Sequence, residues 1–581
     1  MAVTRKIRRR LYVVMTCVLL LLLTVTLRLF QLQVLQSARY AELAQKQSQG
    51  NILTLPVRGN IYDRNMNPLA ESIDTKSVVM SASNFDPGAE SLQRVSDRLD
   101  INLERVSSYH SDRTRLTYLK RKLDPEELRE TRELLLDESV RQSGIFLVPD
   151  TKRVYPETTL ASHLLGFTGL DEKGYDNHGL EGLEYHYDDY LRGHAVRYAV
   201  PMDARRNSLE CWELEVKNSG HDLILTIDKN IQHMVEKELE TTFRTERARH
   251  ATVIVMDPHN GEILAMANYP NYNPNEFSRY PQSHYRNWAA SWDYEPGSTF
   301  KIIQVAAAFE EGILGPHDRY DNNDGFLEAS SRSPEEWRSS GLLSVEEILI
   351  KSNNTGAAAI SRQLGGQRFY DYIRLFGFGE KSGIDLPGEL AGTLREPSEW
   401  SSLSLQSLSI GQEISVTPVQ ITGAFAVIAN GGVLYTPHLV KEIRRKDGTP
   451  ALRVEPTKIR RVISRKSAQF MRDILTKVVK RGTGKRAAVP GYRVAGKTGT
   501  AQKFNHATGD YSSTSLVTSF VGFAPAEYPR VVISAIVDEP AMNEWGGTVA
   551  APLFRQIAGR ILPYLDIPPD TPSREFVALA R

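Results

Sequence analysis

Arg5, Lys6, Arg8, Arg9 and Arg10 stand directly before an uncharged apolar run from Leu11 to Leu27, and that start constrains where the rest of the chain can fold. As a helix rising ~1.5 Å per residue, the run spans about 25 Å, slightly less than the ~30 Å hydrocarbon core of a bilayer. Arg28 can snorkel to the interface, and Leu29 to Leu35 continue the apolar face. A cleaved signal peptide would have a shorter apolar region closed by small residues, and neither condition is met. The sequence therefore predicts a cytoplasmic basic segment over residues 1–10 and a single uncleaved membrane anchor over 11–35. The basic cluster holds the N-terminus inside, so everything after about Gln36 is expected outside the cytoplasm.

A chain of 581 residues should hold more than one domain. Its formal net charge of +1 carries no polyanion signal, so no nucleic-acid partner is expected. Cys17 lies in the apolar run and Cys211 stands alone, which implies no disulfide framework. The histidines show no metal-ligand spacing, so neither a metal nor a cofactor is expected.

Three short motifs follow in the second half: Ser298-Thr299-Phe300-Lys301, Ser352-Asn353-Asn354 and Lys497-Thr498-Gly499-Thr500. Their residue types suit acyl transfer through a serine ester, because a serine hydroxyl needs a base to remove its proton. Lys301 follows Ser298 by three residues, which on a helix places the two on one face about 5–6 Å apart at Cβ. That lysine must be neutral to act as the base. Partial burial and a nearby cation both favour this, and Lys497 is the expected cation. Ser352 is then placed to relay a proton, and Asn354 to hold Lys301 and a substrate amide.

The helix has independent support. After Pro296-Gly297, Ile302, Val305, Ala306 and Phe309 recur at helical spacing until Gly312. Ser298 is expected in the first turn, where backbone N–H groups are unpaired. The Ser298 N–H, with one from the strand carrying Thr500, is a candidate oxyanion hole. Each motif alone is weak: a capping serine with a solvated lysine, a turn, and a strand end are the bland readings. Their order and joint chemical sense outweigh those readings.

On these motifs the chain resembles the class B penicillin-binding proteins, most closely the division-type, septal D,D-transpeptidases. Supporting stretches are Arg58-Gly59-Asn60-Ile61-Tyr62-Asp63-Arg64-Asn65, Arg153-Val154-Tyr155-Pro156, Gly179-Leu180-Glu181-Gly182-Leu183-Glu184, Tyr272-Asn273-Pro274-Asn275, and Gly411-Gln412-Glu413 leading to Thr417-Pro418. The resemblance implies that Ser298 is the acylated nucleophile and Lys301 the base, with Ser352 and Asn354 as the second element. Lys497, Thr498, Gly499 and Thr500 would form the strand that binds the substrate carboxylate. Asn353 stands where related enzymes often carry Asp or another residue, and only Ser352 and Asn354 carry the role.

A competing pattern shares these residues. Gly491 through Thr498 satisfies the phosphate-loop motif G-x-x-x-x-G-K-[ST] letter for letter. A phosphate loop follows a buried strand and opens a helix, whereas here Pro490 precedes it and Gly499 follows without helical periodicity. Val494 to Ala501 reads as a strand, and Gly491 is expected to tolerate alanine.

Residues 36–218 read as a mixed module with no visible chemistry, which the resemblance implies is a non-catalytic pedestal of the dimerisation type. Arg58, Asp63, Arg64, Arg153 and Glu181 are expected there as buried structural ion pairs. Residues 219–565 read as the catalytic domain. Ala251–Pro258 and Glu262–Tyr269 are expected to form a hairpin on the two-residue turn Asn260-Gly261. Three further strands lie over 494–502, 515–524 and 531–537, followed by a closing helix over 550–562. The fold class is α+β: a five-stranded, mostly antiparallel sheet flanked by helices, as in penicillin-binding proteins and serine β-lactamases. Residues 566–581 read as a loose tail.

The resemblance implies crosslinking of peptidoglycan at D-Ala-D-Ala stem peptides with release of D-alanine, and acylation by β-lactams. It also implies a SEDS-type glycosyltransferase and other division proteins as partners. The alternatives are an elongation-type transpeptidase, a D,D-carboxypeptidase or β-lactamase using water, and a β-lactam sensor that keeps the fold without turnover.

Overall fold

The structure is a computed structural model and describes residues 2–41, 49–54, 57–81, 85–109, 116–169, 178–193, 196–201, 219–321, 341–505 and 509–570. Cys211 and the tail beyond Asp570 lie outside the described residues.

The first of two units comprises Met1–Val57 and His194–Ser219. In it, α1 (Ala2–Phe30) runs into a π-helical turn over Gln31–Leu35. The stretch Arg5–Leu35 is long and apolar enough to cross a membrane. The hydroxyls of Thr16, Thr24 and Thr26 each donate to the carbonyl four residues back, at 2.8, 2.7 and 2.8 Å. Such bonds satisfy polar groups where hydrocarbon offers no water. In the same unit Gln49–Thr54 pairs antiparallel with Val196–Pro201.

The second unit comprises Arg58–Gly193 and Gly220–Arg581. Its strands begin with β1 (Ile61–Tyr62), β2 (Pro68–Ser81), β3 (Leu116–Lys120), β4 (Ile145–Val154) and β5 (Asp222–Leu225). Helix α2 (Lys229–Glu246) leads to β6 (His250–Met256) and β7 (Ile263–Tyr269), then to helices α3 (Lys301–Glu310), α4 (Val345–Ile350), α5 (Asn354–Leu364) and α6 (Pro418–Ala429). After β8 (Val440–Arg444) and β9 (Pro450–Arg453) come α7 (Arg465–Arg481), β10 (Ala495–Asn505), β11 (Asp510–Ala524), β12 (Val531–Asp538) and α8 (Ala550–Tyr564).

These strands build two principal sheets. One has the order β9-β8-β5-β1-β2-β3, with β4 paired to β2. Only β1 and β5 pair in parallel, and the sheet runs across the boundary expected at residue 219. The other has the order β7-β6-β12-β11-β10 and is antiparallel throughout. Both of its faces are covered. Val253 and Val255 of β6 join a core with Ile231, Val235 and Leu239 of α2 and Leu553 and Phe554 of α8, while Ile254 and Met256 point into a second core with α3 and α6. Strand β12 divides the same way, so it reads as a continuous apolar run rather than an alternating one.

The β6–β7 connection differs from the two-residue turn expected. Four residues, Pro258 to Gly261, bridge Asp257 and Glu262, whose N–H and C=O pair at 2.9 Å. The Asp257 side chain accepts the His259 N–H at 2.9 Å, an Asx turn that widens the loop. Gly261 has φ +82°, and a Cβ there would lie 2.4 Å from the Thr436 carbonyl oxygen.

The expected buried ion pairs are present around a different acid. Arg58 donates to Glu184 at 2.6 Å and to Asp188 at 2.5 Å, and Arg153 donates to the other Glu184 oxygen at 2.7 Å. Glu184 is fully buried, whereas Glu181 is exposed. Burial alone would raise the Glu184 carboxyl, but the guanidiniums of Arg153 and Arg58 hold it below the usual range. Asp63 accepts the N–H groups of Asn65, Asn67 and Lys229 instead, and Arg64 pairs with Glu262 at 3.1 Å nearer the surface. Removing the shared acid takes the carboxylate from buried Arg153 and leaves Arg58 with Asp188, so Glu184→Ala is expected to cost about 3–5 kcal/mol in denaturant unfolding. Arg64→Ala is expected to cost under about 1 kcal/mol, and equal losses in the two variants would contradict this ranking.

Candidate active site

Ser298 lies in a single 3₁₀ turn, Gly297–Phe300, that feeds directly into α3 at Lys301. Ser298 therefore lies in the first turn, as the apolar spacing predicts, and that turn is 3₁₀ rather than α. Close backbone packing explains the tighter turn. Gly297 has φ +57° and donates its N–H to the Gly411 carbonyl at 3.1 Å, and the Thr299 hydroxyl donates to the Pro296 carbonyl at 2.7 Å. A Cβ on Gly411 would lie 2.2 Å from the Gly297 oxygen, and one on Gly499 would lie 2.3 Å from Ser519 Oγ and 3.0 Å from the Pro296 oxygen. Three chain segments thus meet where side chains do not fit, and the Ser298 turn is pressed against β10.

The second motif sits in the bend between α4 and α5. Ser352 has φ +56°, a left-handed conformation costing a non-glycine residue on the order of 1–3 kcal/mol. The expense follows from what Ser352 joins. Its carbonyl accepts from Lys301 Nζ at 2.6 Å, and its Oγ accepts from Lys497 Nζ at 2.8 Å. Lys301 Nζ also donates to Asn354 Oδ1 at 2.5 Å, and Lys497 Nζ to the Thr498 carbonyl at 3.0 Å. Asn353 caps α5 by accepting the Gly356 N–H at 2.7 Å. Both lysines are fully buried.

Burial lowers the Lys497 ammonium to about 7. Without a bound anion, Lys497 is therefore a full cation only on the acid side of neutrality.

The third motif opens β10, with Lys497 opposite Val521 and Thr500 opposite Thr518 on β11. Strand β10 is the edge of its sheet, where an extended peptide can add as a further strand. The Thr498 and Thr483 hydroxyls are 2.7 Å apart, and Thr500 Oγ1 accepts the Gly546 N–H at 3.1 Å. Ser298, Lys301, Ser352, Asn354 and the run Lys497 to Thr500 are thus gathered in one place. Thr483, Gly546 and Glu295, which accepts from the Glu413 N–H and the Tyr511 hydroxyl, were not singled out from sequence. Only Glu295, three residues before Ser298, lay near a motif.

The phosphate-loop alternative fails on geometry. Lys497 is in a strand instead of at a helix start, and a Cβ on Gly496 would lie 2.5 Å from the Phe520 ring. Gly491 sits in a turn with φ +83°, so alanine there is strained, contrary to the tolerance expected.

Residues 251–559 match the penicillin binding protein transpeptidase domain, and residues 53–225 match the penicillin-binding protein dimerisation domain. The chain is 33% identical over 573 residues to Stage V sporulation protein D of Bacillus subtilis, covering 97% of this chain and 87% of that protein. It is 30% identical over 526 residues to peptidoglycan D,D-transpeptidase FtsI of Escherichia coli, covering 88% and 84%. Its fold is similar to the crystal structure of penicillin binding protein 3 from Mycobacterium tuberculosis complexed with aztreonam. That match has a TM-score of 0.68 and 29% identity, and covers 90% of this chain and 99% of that one.

With Lys497 lowered to about 7, a carboxylate placed beside its ammonium would be held with a pH dependence of definite sign. Protonated Lys497 attracts a carboxylate and neutral Lys497 does not, so affinity should fall as pH rises through about 7. Calorimetric titration of Ser298→Ala with benzylpenicillin, from about pH 6 to about pH 9, measures this without covalent capture. Lys497→Met should flatten the profile, and a pH-independent affinity with Lys497 present would contradict the assignment.

Proposed function

This chain belongs to the class B penicillin-binding proteins, and from that premise we propose how its own residues carry out peptidoglycan D,D-transpeptidation. It is a serine-type transpeptidase. In our reading Ser298 Oγ attacks the carbonyl carbon of the penultimate D-alanine in a stem peptide. Lys301 accepts the hydroxyl proton. A neutral amine has two N–H groups and one lone pair; the Ser352 carbonyl and Asn354 Oδ1 take the N–H groups, which leaves the lone pair for Ser298. The tetrahedral oxyanion is held by the N–H groups of Ser298 and Thr500.

Collapse breaks the C–N bond. The departing amine of the terminal D-alanine takes a proton from Ser352 Oγ, and Lys497, which donates to that oxygen, restores it. Protonated Lys497, with Thr498 and Thr500, binds the terminal carboxylate. An amine on a neighbouring strand then attacks the Ser298 ester; Lys497, neutral after the first half, takes the amine's proton through Ser352, Lys301 returns its proton to Ser298 Oγ as the ester C–O bond breaks, and the crosslinking amide is left. The observation that carries this reading is the double engagement of Ser352, which connects the two buried lysines through one residue. β-Lactams acylate Ser298 by the same route.

The apolar N-terminal helix supports membrane anchoring, and the basic cluster before it supports a cytoplasmic N-terminus with residues 219–565 outside as the catalytic domain. Residues 36–218 form the pedestal in this reading. The setting we propose is septal wall synthesis, on the likeness to division-type members, with a SEDS-type glycosyltransferase and other division proteins beside it.

The test is D-alanine release from a stem pentapeptide by the full chain in detergent, with and without an amine acceptor. Transpeptidation predicts faster release and a crosslinked product when the acceptor is present. Release indifferent to acceptor would make the protein a carboxypeptidase, and covalent penicillin capture without any release would make it a sensor.

A further inference from the structure

We propose that Glu295 is a positioning residue that ties the nucleophile arm to the β10–β11 hairpin through Tyr511, and so sets the width of the cleft the scissile bond enters. The inference rests on the assignment of Ser298 as the nucleophile.

One oxygen of Glu295, Oε1, accepts two hydrogen bonds: the Glu413 N–H at 2.9 Å and the Tyr511 hydroxyl at 2.9 Å. These partners lie on different parts of the fold. Glu413 belongs to the segment that backs the nucleophile arm. There Tyr294 and Val416 exchange backbone hydrogen bonds at 3.0 and 2.9 Å, and Gly411 accepts the Gly297 N–H. Glu413 has φ +61°, strained for a residue other than glycine, and its carboxylate is held by Arg395 and by Ser404 Oγ at 2.7 Å. The strain is offset by what it achieves, since the backbone N–H of Glu413 is turned onto Glu295.

Tyr511 belongs to the other wall. It stands opposite Phe504 near the far end of the hairpin whose first strand carries Lys497 to Thr500, and its ring meets Phe504 edge-on at 5.4 Å. The β10–β11 register breaks between Gln502 and Phe504, so the outer part of the hairpin is not held in line by the ladder alone. Lys503 fastens the back of this region to Asp538 at 3.0 Å and to Glu539 at 2.6 Å. Tyr511 fastens the front to Glu295, three residues before Ser298. A phenol donating to a carboxylate is a charge-assisted bond, stronger than a neutral pair.

The geometry matters because one carbonyl must reach two walls at once, presenting its carbon to Ser298 Oγ and its oxygen to the Thr500 N–H. A displacement of the order of 1 Å between them is costly to the acylation step and less so to prior binding. A bond serving stability alone would lower the melting temperature and leave acylation unchanged.

The test is stopped-flow acylation of the full-length protein in detergent by a fluorescent penicillin, with melting temperatures recorded on the same preparations. Tyr511→Phe and Glu295→Leu should each lower the limiting acylation rate about 10-fold or more. Apparent pre-covalent affinity should change by less than about 3-fold. Glu295→Gln, whose carbonyl oxygen can accept both hydrogen bonds, should keep the wild-type rate within about 3-fold. Wild-type acylation in Tyr511→Phe, with or without a lowered melting temperature, would overturn the inference. That variant decides the question even if Glu295→Leu does not fold. Labelling of Ser298→Ala would instead overturn the nucleophile assignment beneath it.

Discussion

The site depends first on an absence of side chains. The Ser298 turn, the Gly411 segment and β10 approach so closely that Gly297, Gly411 and Gly499 have no room for a Cβ without overlapping a neighbour's backbone or hydroxyl. Gly546 repeats this on another approach, where a Cβ would lie 2.2 Å from the Gly499 carbonyl oxygen. Backbone packed against backbone is stiff, since no rotamer can adjust to relieve it. Main-chain packing thereby sets how closely the Ser298 turn can approach β10, and the Glu295–Tyr511 bond limits how far the two can move apart.

Charge is the second constraint. Two fully buried lysines meet at Ser352, and burying an ammonium without compensation is costly. Ser352 reduces that cost by accepting from both, one at its carbonyl and one at its hydroxyl. The lowered Lys497 then has a use. A group that titrates near neutrality can hold a carboxylate when protonated and pass a proton when one is needed. Strain accompanies these contacts, because both Ser352 and Glu413 adopt left-handed backbone conformations beside the nucleophile.

Much of this was legible in the sequence, for local reasons. The five strands of the catalytic sheet and its closing helix follow from apolar periodicity, and the three motifs name the residues that come together. Three features were not legible because their causes are nonlocal. The 3₁₀ form of the Ser298 turn goes with the close approach of β10 and Gly411, which spacing along one helix does not record. The acid that joins Arg58 is Glu184, 126 residues away, and the nearby Glu181 carries the same chemistry in sequence. The pairing of β1 with β5 spans two residues, too few to leave a pattern, yet it carries one sheet across the expected boundary. The Asn260-Gly261 turn shows the reverse case, in which a strong local signal yields to the Asp257 side chain.

The roles given to Ser298 and Ser352 are tested together by locating the covalent bond. The full-length protein would be reacted with benzylpenicillin, digested and mapped by tandem mass spectrometry. The account predicts one adduct of the intact drug mass, on the peptide containing Ser298 and localised to that residue, with Ser352 unmodified. An adduct on Ser352, or no adduct on a folded protein, would contradict it.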